Sequence, residues 1–66
     1  MPVISVAIHP VSSEQKKSLI AALTRSAAEV TKVPEAKFIV LLHELPEEAI
    51  GLGGRTLKEV RAADHA

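Results

Sequence analysis

Cysteine is absent from this sequence, so no disulfide framework can brace it, and that absence fits a reducing compartment. No Cys/His spacing of a structural zinc site is present either. Tryptophan and tyrosine are missing and Phe38 is the one aromatic residue, so any core must be aliphatic. Neither sign of charge is in excess: eight basic and eight acidic residues cancel, which argues against a nucleic-acid footprint. No uninterrupted apolar run is longer than Phe38 to Leu42, which falls far short of the roughly 20 residues of a membrane span. A charged leader preceding an apolar segment is also lacking at the start, so a cytoplasmic protein that meets neither membrane nor nucleic acid is expected.

What is present is a hydrophobic chain, 47% apolar, in only 66 residues. One domain spanning 1–66 is expected, and a chain this short hides only about 60% of its unfolded surface. With no disulfide or metal to help, self-association is the remaining common aid.

The chain is organised around its first stretch, Met1-Pro2-Val3-Ile4-Ser5-Val6-Ala7-Ile8-His9. Alternation sends Ile4, Val6 and Ile8 to one face and Val3, Ser5, Ala7 and His9 to the other, which predicts a strand. Methionine ahead of a small residue is usually removed, and removal would leave Pro2 with a free secondary amine. An α-amino group titrates near 7.7–8.0, and an apolar pocket or a nearby cation lowers that value. Pro2 is therefore a candidate base. It is equally suited to opening an edge strand, where its missing N–H costs nothing.

His9-Pro10-Val11 leaves the strand, and Ser12 with Gln15 three residues on has the spacing of a capping box. Leu19, Ile20, Leu23, Ala27 and Val30 form an apolar stripe at helical spacing. The helix must end near Thr31 or Lys32, because the residue before Pro34 is pushed out of the α region. Lys37 to Leu45 is a nearly continuous apolar run, the pattern of a strand covered on both faces. Strand, helix and strand predict an α/β fold: one right-handed βαβ unit with two parallel strands. Pro46 breaks the run, Gly51-Leu52-Gly53-Gly54 forms a turn or hairpin, and 56–61 is a short strand or a helical turn. Residues 62–66 read as a frayed end. One helix cannot cover both faces of the second strand, so another subunit is expected to cover the far face.

Pro2, Ser13-Glu14-Gln15-Lys16, Pro34, the apolar strand ending in Glu44, and Gly51-Leu52-Gly53-Gly54 occur in an order that resembles the 4-oxalocrotonate tautomerase family of the tautomerase superfamily. The resemblance covers nearly the whole chain. It implies βαβ subunits assembled as homohexamers, or as heterohexamers of two related chains. It also implies a cofactor-free isomerase in which an amino-terminal proline moves a proton between oxygen and carbon of a small enol or unsaturated acid. Pro2 is then the expected catalytic residue.

The departures from that family bear on substrate. The positions that resemble the family's two substrate-binding arginines hold Val11, in a shortened loop, and Ile39, and the family's aromatic before the glycine turn is replaced by Ile50. Neither valine nor isoleucine can bind a carboxylate, so the family's dicarboxylate substrate is not expected. Arg55, directly after the glycine turn, is the leading carboxylate candidate, ahead of Lys37 and His43, which strand alternation places with Ile39 and Leu41. Each has a plainer role open to it: a surface ion pair for Arg55, a solvated strand end for Lys37, an interface contact for His43. His9 is expected to be structural. Two other functions stay open: a partner subunit whose related chain supplies the arginines, and a proline-dependent hydratase or decarboxylase.

Overall fold

The computed structural model describes residues 1–64; His65 and Ala66, part of the expected frayed end, lie outside the described residues. Strand β1 (Val3–Ile8) leads into helix α1 (Ser13–Thr31), and the chain returns through a 3₁₀ turn (Glu35–Lys37) to β2 (Ile39–Glu44). A second 3₁₀ turn (Glu47–Ala49) precedes the hairpin of β3 (Gly51–Leu52) and β4 (Arg55–Thr56), and α2 (Leu57–Asp64) follows directly.

Helix α1 begins where its capping box requires. The Ser12 hydroxyl accepts from the Gln15 N–H at 3.1 Å, and Gln15 Oε1 accepts from the Ser12 N–H at 3.0 Å. At the other end Lys32 turns left-handed at φ 65° and donates its N–H to the Ala28 carbonyl at 2.9 Å. Pro34 rules out a further turn.

β1 and β2 run parallel, with Val3 opposite Ile39 and Ile8 opposite Glu44. The register puts Ile4, Val6, Val40 and Leu42 on the half-buried face toward α1. Val3, Ser5, Ala7, Ile39, Leu41 and His43 share the other face, where Val3 is 56% and Leu41 45% exposed. Among the described residues nothing lies over that face, although β2 has the apolar sequence of a strand sandwiched on both sides.

Three expectations are corrected. Lys37 is not on the strand: Pro34 enters a 3₁₀ turn whose bonds run from the Lys37 N–H to the Pro34 carbonyl and from the Phe38 N–H to the Glu35 carbonyl, so β2 starts only at Ile39. The stripe on α1 is narrower than its spacing suggests, because Leu19, Leu23 and Ala27 are half-buried while Val30 is 82% and Ile20 40% exposed. Ala62 to Asp64 are helical, because α2 is nucleated by a second capping box: the Glu59 N–H donates to Thr56 Oγ1 at 3.1 Å, and Glu59 Oε1 accepts from the Thr56 N–H at 3.1 Å.

No side chain of the described residues is fully buried. The radius of gyration is 15.2 Å, where a compact 66-residue domain would have about 11 Å. The accessible surface of 4937 Å² also exceeds the roughly 4,000 Å² of a compact monomer of this mass. The hairpin and α2 form an arm whose packing partners are chiefly its own segments and the second 3₁₀ turn.

Candidate active site

Pro2 stands immediately ahead of β1 and is half-buried. Its carbonyl accepts from the Ile39 N–H at 3.0 Å, which carries the parallel ladder one step past Val3 and fixes the proline backbone against β2. The strand residues next to it, Val3 and Ile4 on β1 and Ile39 and Val40 on β2, all carry hydrocarbon side chains, as does Phe38 just ahead of β2. Met1 is 86% exposed, so its loss would remove no packing from the sheet.

The other residues singled out in the sequence fall into three places. Ile39 and Lys37 are at the Pro2 end of the sheet, Ile39 as first residue of β2 and Lys37 two residues earlier in the exposed 3₁₀ turn. His43 is toward the opposite end of the same strand, on the uncovered face, where its Nε2 lies 3.1 Å from Ser5 Oγ. Ile50 and Arg55 belong to the arm: Ile50 is half-buried and its carbonyl accepts from the Leu57 N–H at 2.7 Å, while Arg55 is exposed on β4 opposite Leu52. Five steps of parallel strand, about 17 Å, separate Ile39 from Glu44, and the arm begins beyond Glu44. One chain therefore does not bring Arg55 to Pro2.

Val11 is half-buried, in the loop between β1 and α1, and its backbone is bound by a residue that sequence reasoning gave no role. Glu44 Oε2 accepts from the Val11 N–H at 3.0 Å and Oε1 from Lys16 Nζ at 2.9 Å. The Lys16 hydrogen bond first, and the Val11 N–H second, hold the Glu44 carboxyl below its ordinary value. The sequence carried a signal for this contact only in retrospect: a charge at the end of an otherwise apolar strand needs a partner. His9, just outside β1, has Nδ1 at 3.1 Å from the neighbouring Pro10 carbonyl oxygen and touches none of the site residues by hydrogen bond.

A βαβ unit with two parallel strands and an appended antiparallel hairpin is the fold shared with several solved structures. TomN, a 4-oxalocrotonate tautomerase homologue in the tomaymycin biosynthetic pathway, superposes with a TM-score of 0.88 at 34% identity, over 92% of this chain and 95% of that one. A chain of the heterohexamer 4-oxalocrotonate tautomerase from Chloroflexus aurantiacus J-10-fl does so at 0.86 and 31%, over 92% of this chain and all of that one (100%). In sequence, 2-hydroxymuconate tautomerase of Comamonas testosteroni is 39% identical over 49 residues, 74% of this chain and 78% of that protein. Residues 2–59 match the family described as Tautomerase enzyme.

The chain belongs to the tautomerase family, and its relatives are the 4-oxalocrotonate tautomerase homologues that the sequence resembles. Membership supports a tautomerase or isomerase type of chemistry, in a family whose members include hexamers.

Proposed function

We propose that this protein is a proline-dependent tautomerase, in which Pro2, freed by removal of Met1, is the general base and acid for a small enol or unsaturated acid. The observation that carries the reading is the placement of Pro2: half-buried at the head of an apolar strand, backbone held by Ile39, in a chain of this family. A hydrocarbon setting disfavours the ammonium form and keeps the amine able to accept a proton near neutral pH. The reaction balances without a cofactor. The enol O–H bond breaks and its proton passes to the proline nitrogen, the oxygen lone pair forms C=O, and the C=C pair takes a proton from the nitrogen at carbon, restoring the amine.

The working unit is a homohexamer of this single-domain chain, in which the uncovered sheet face is shared between copies. Ile39 and Lys37 would border the substrate from the chain that supplies Pro2, and Ile50 and Arg55 from the arm of another copy. His43 is offered as a further polar contact where the face meets its neighbour.

The test is Pro2→Ala together with mass spectrometry of protein from its natural host. A positioned base contributes roughly 10²–10⁴-fold, so the variant should lose that much kcat/KM. Retained Met1, or full activity in the variant, would end the reading. A second reading, that the chain is one partner of a heterohexamer, draws on the similarity to the Chloroflexus aurantiacus protein. Mass and subunit composition of the complex from the host decide between them.

A further inference from the structure

Resting on the reading that copies of this chain share the uncovered sheet face, we infer that His43 makes their assembly acid-sensitive. Its neutral imidazole fits the joint between copies, and its protonation separates them.

The face is defined by the register. Val3, Ser5 and Ala7 of β1 share it with Ile39, Leu41 and His43 of β2, Ser5 opposite Leu41 and Ala7 opposite His43. No Asp, Glu, Lys or Arg belongs to this set. A second copy is the occupant that fits, because across a two-fold contact it brings the same neutral, apolar patch. The accessible surface of the chain also exceeds that of a compact monomer by roughly 900 Å². A stable interface covers roughly 800 Å² on each partner.

His43 is the titratable member of this face. Its Nε2 lies 3.1 Å from Ser5 Oγ, the one hydrogen bond of its ring among the described residues. A neutral imidazole offers one N–H and one acceptor nitrogen, and a serine hydroxyl satisfies either. An imidazolium carries two N–H donors and a charge. Covered by a second copy of the same patch, that charge would lose its water without meeting a carboxylate, a costly arrangement. An imidazole in water titrates near 6.5, and covering it lowers that value. Association is therefore at full strength above the ordinary imidazole range. Below it, each covered histidine weakens association about tenfold per pH unit.

Other charged and titratable groups lie elsewhere. Helix α1 packs on the opposite face, and there Glu44 is tied to Lys16 and the Val11 N–H. Its carboxyl is held below the ordinary carboxylate value, so it stays ionised while an imidazole titrates. In the second 3₁₀ turn Glu47 pairs with Arg61 at 3.2 Å, and exposed Glu48 follows it. His9 is next in the alternation of β1 but stands outside the strand, its Nδ1 3.1 Å from the Pro10 carbonyl oxygen. The amine of a processed Pro2 would stand at the other end of β1 from Ala7, the partner of His43.

The test is sedimentation of the mature wild-type protein at one concentration from about pH 8 to about pH 5.5, the range in which an imidazole changes charge. His43→Gln, His43→Leu and His9→Gln are run beside it. Wild type and His9→Gln should lose molar mass toward acid. Whichever His43 variant assembles at the alkaline end should keep its mass throughout. Wild-type mass that does not change with pH overturns the inference. So does a His43 variant that comes apart along with wild type, an acid-resistant His9→Gln, or failure of both His43 variants to assemble at all. A wild type that is monomeric even at the alkaline end overturns the shared face as well, whereas the other outcomes leave it standing.

Discussion

Glu44 ties the loop after β1 to the end of β2: one carboxylate oxygen takes the Lys16 ammonium at 2.9 Å and the other the Val11 N–H at 3.0 Å. Because folding lowers the Glu44 carboxyl below its ordinary value near 4.5, the contribution is fully present above the unfolded value and is lost as pH falls through the folded one. Glu44→Gln should therefore be less stable than wild type at neutral pH, with the gap closing under acid conditions. Thermal melts across that range check the sign; a gap that widens toward low pH would contradict it.

The arm depends on Thr56 in the same way that α1 depends on Ser12. Thr56→Ala removes the side chain that accepts the Glu59 N–H and should cost about 1 kcal/mol. Faster hydrogen exchange at the first amides of α2, with those of α1 unchanged, is the expected signature.

Gly53 and Gly54 both have positive φ, at 63° and 85°, with open space where a Cβ would stand. The penalty for a side chain is thus conformational rather than steric crowding. Gly54→Ala should destabilise the hairpin by about 1–2 kcal/mol, whereas Gly53→Asn should be nearly neutral, because Asn-Gly suits a two-residue hairpin loop. Denaturant unfolding of the two variants separates them.

Leu41 is 45% exposed in the middle of the uncovered sheet face. Covering the part still exposed against another copy contributes roughly half of a full leucine burial, about 1 kcal/mol. Leu41→Lys would put a charge there instead and should lower the molar mass seen by analytical ultracentrifugation. Unchanged assembly in this variant would mean that the face is not shared between copies.

Much of the fold was legible because its signals are local. Ser12 and Gln15 announce the start of α1, Pro34 announces its end, and alternation in β1 assigns Ile4, Val6 and Ile8 to one face. The second capping box is equally written in Thr56-Leu57-Lys58-Glu59, although the shortness of 56–61 leaves a strand and a helical turn both open to it. Lys37 was misplaced because an apolar run hides a 3₁₀ turn whose cause, Pro34, is three residues upstream. Glu44 could not be linked to Lys16 from sequence, since they are 28 residues apart and meet only through the parallel crossover. For the candidate site, Pro2 is legible as a position, but what faces it from other copies depends on contacts that one chain does not contain.

A chain in which every described side chain keeps some contact with solvent has few interior contacts of its own to hold it shut. With copies covering one another's sheet face, as proposed above, folding would be coupled to association, and by mass action the melting temperature should rise with protein concentration and fall on dilution. Dilution would dismantle the catalyst before it unfolded a more self-sufficient protein, so specific activity should decline below a threshold concentration even with substrate in excess.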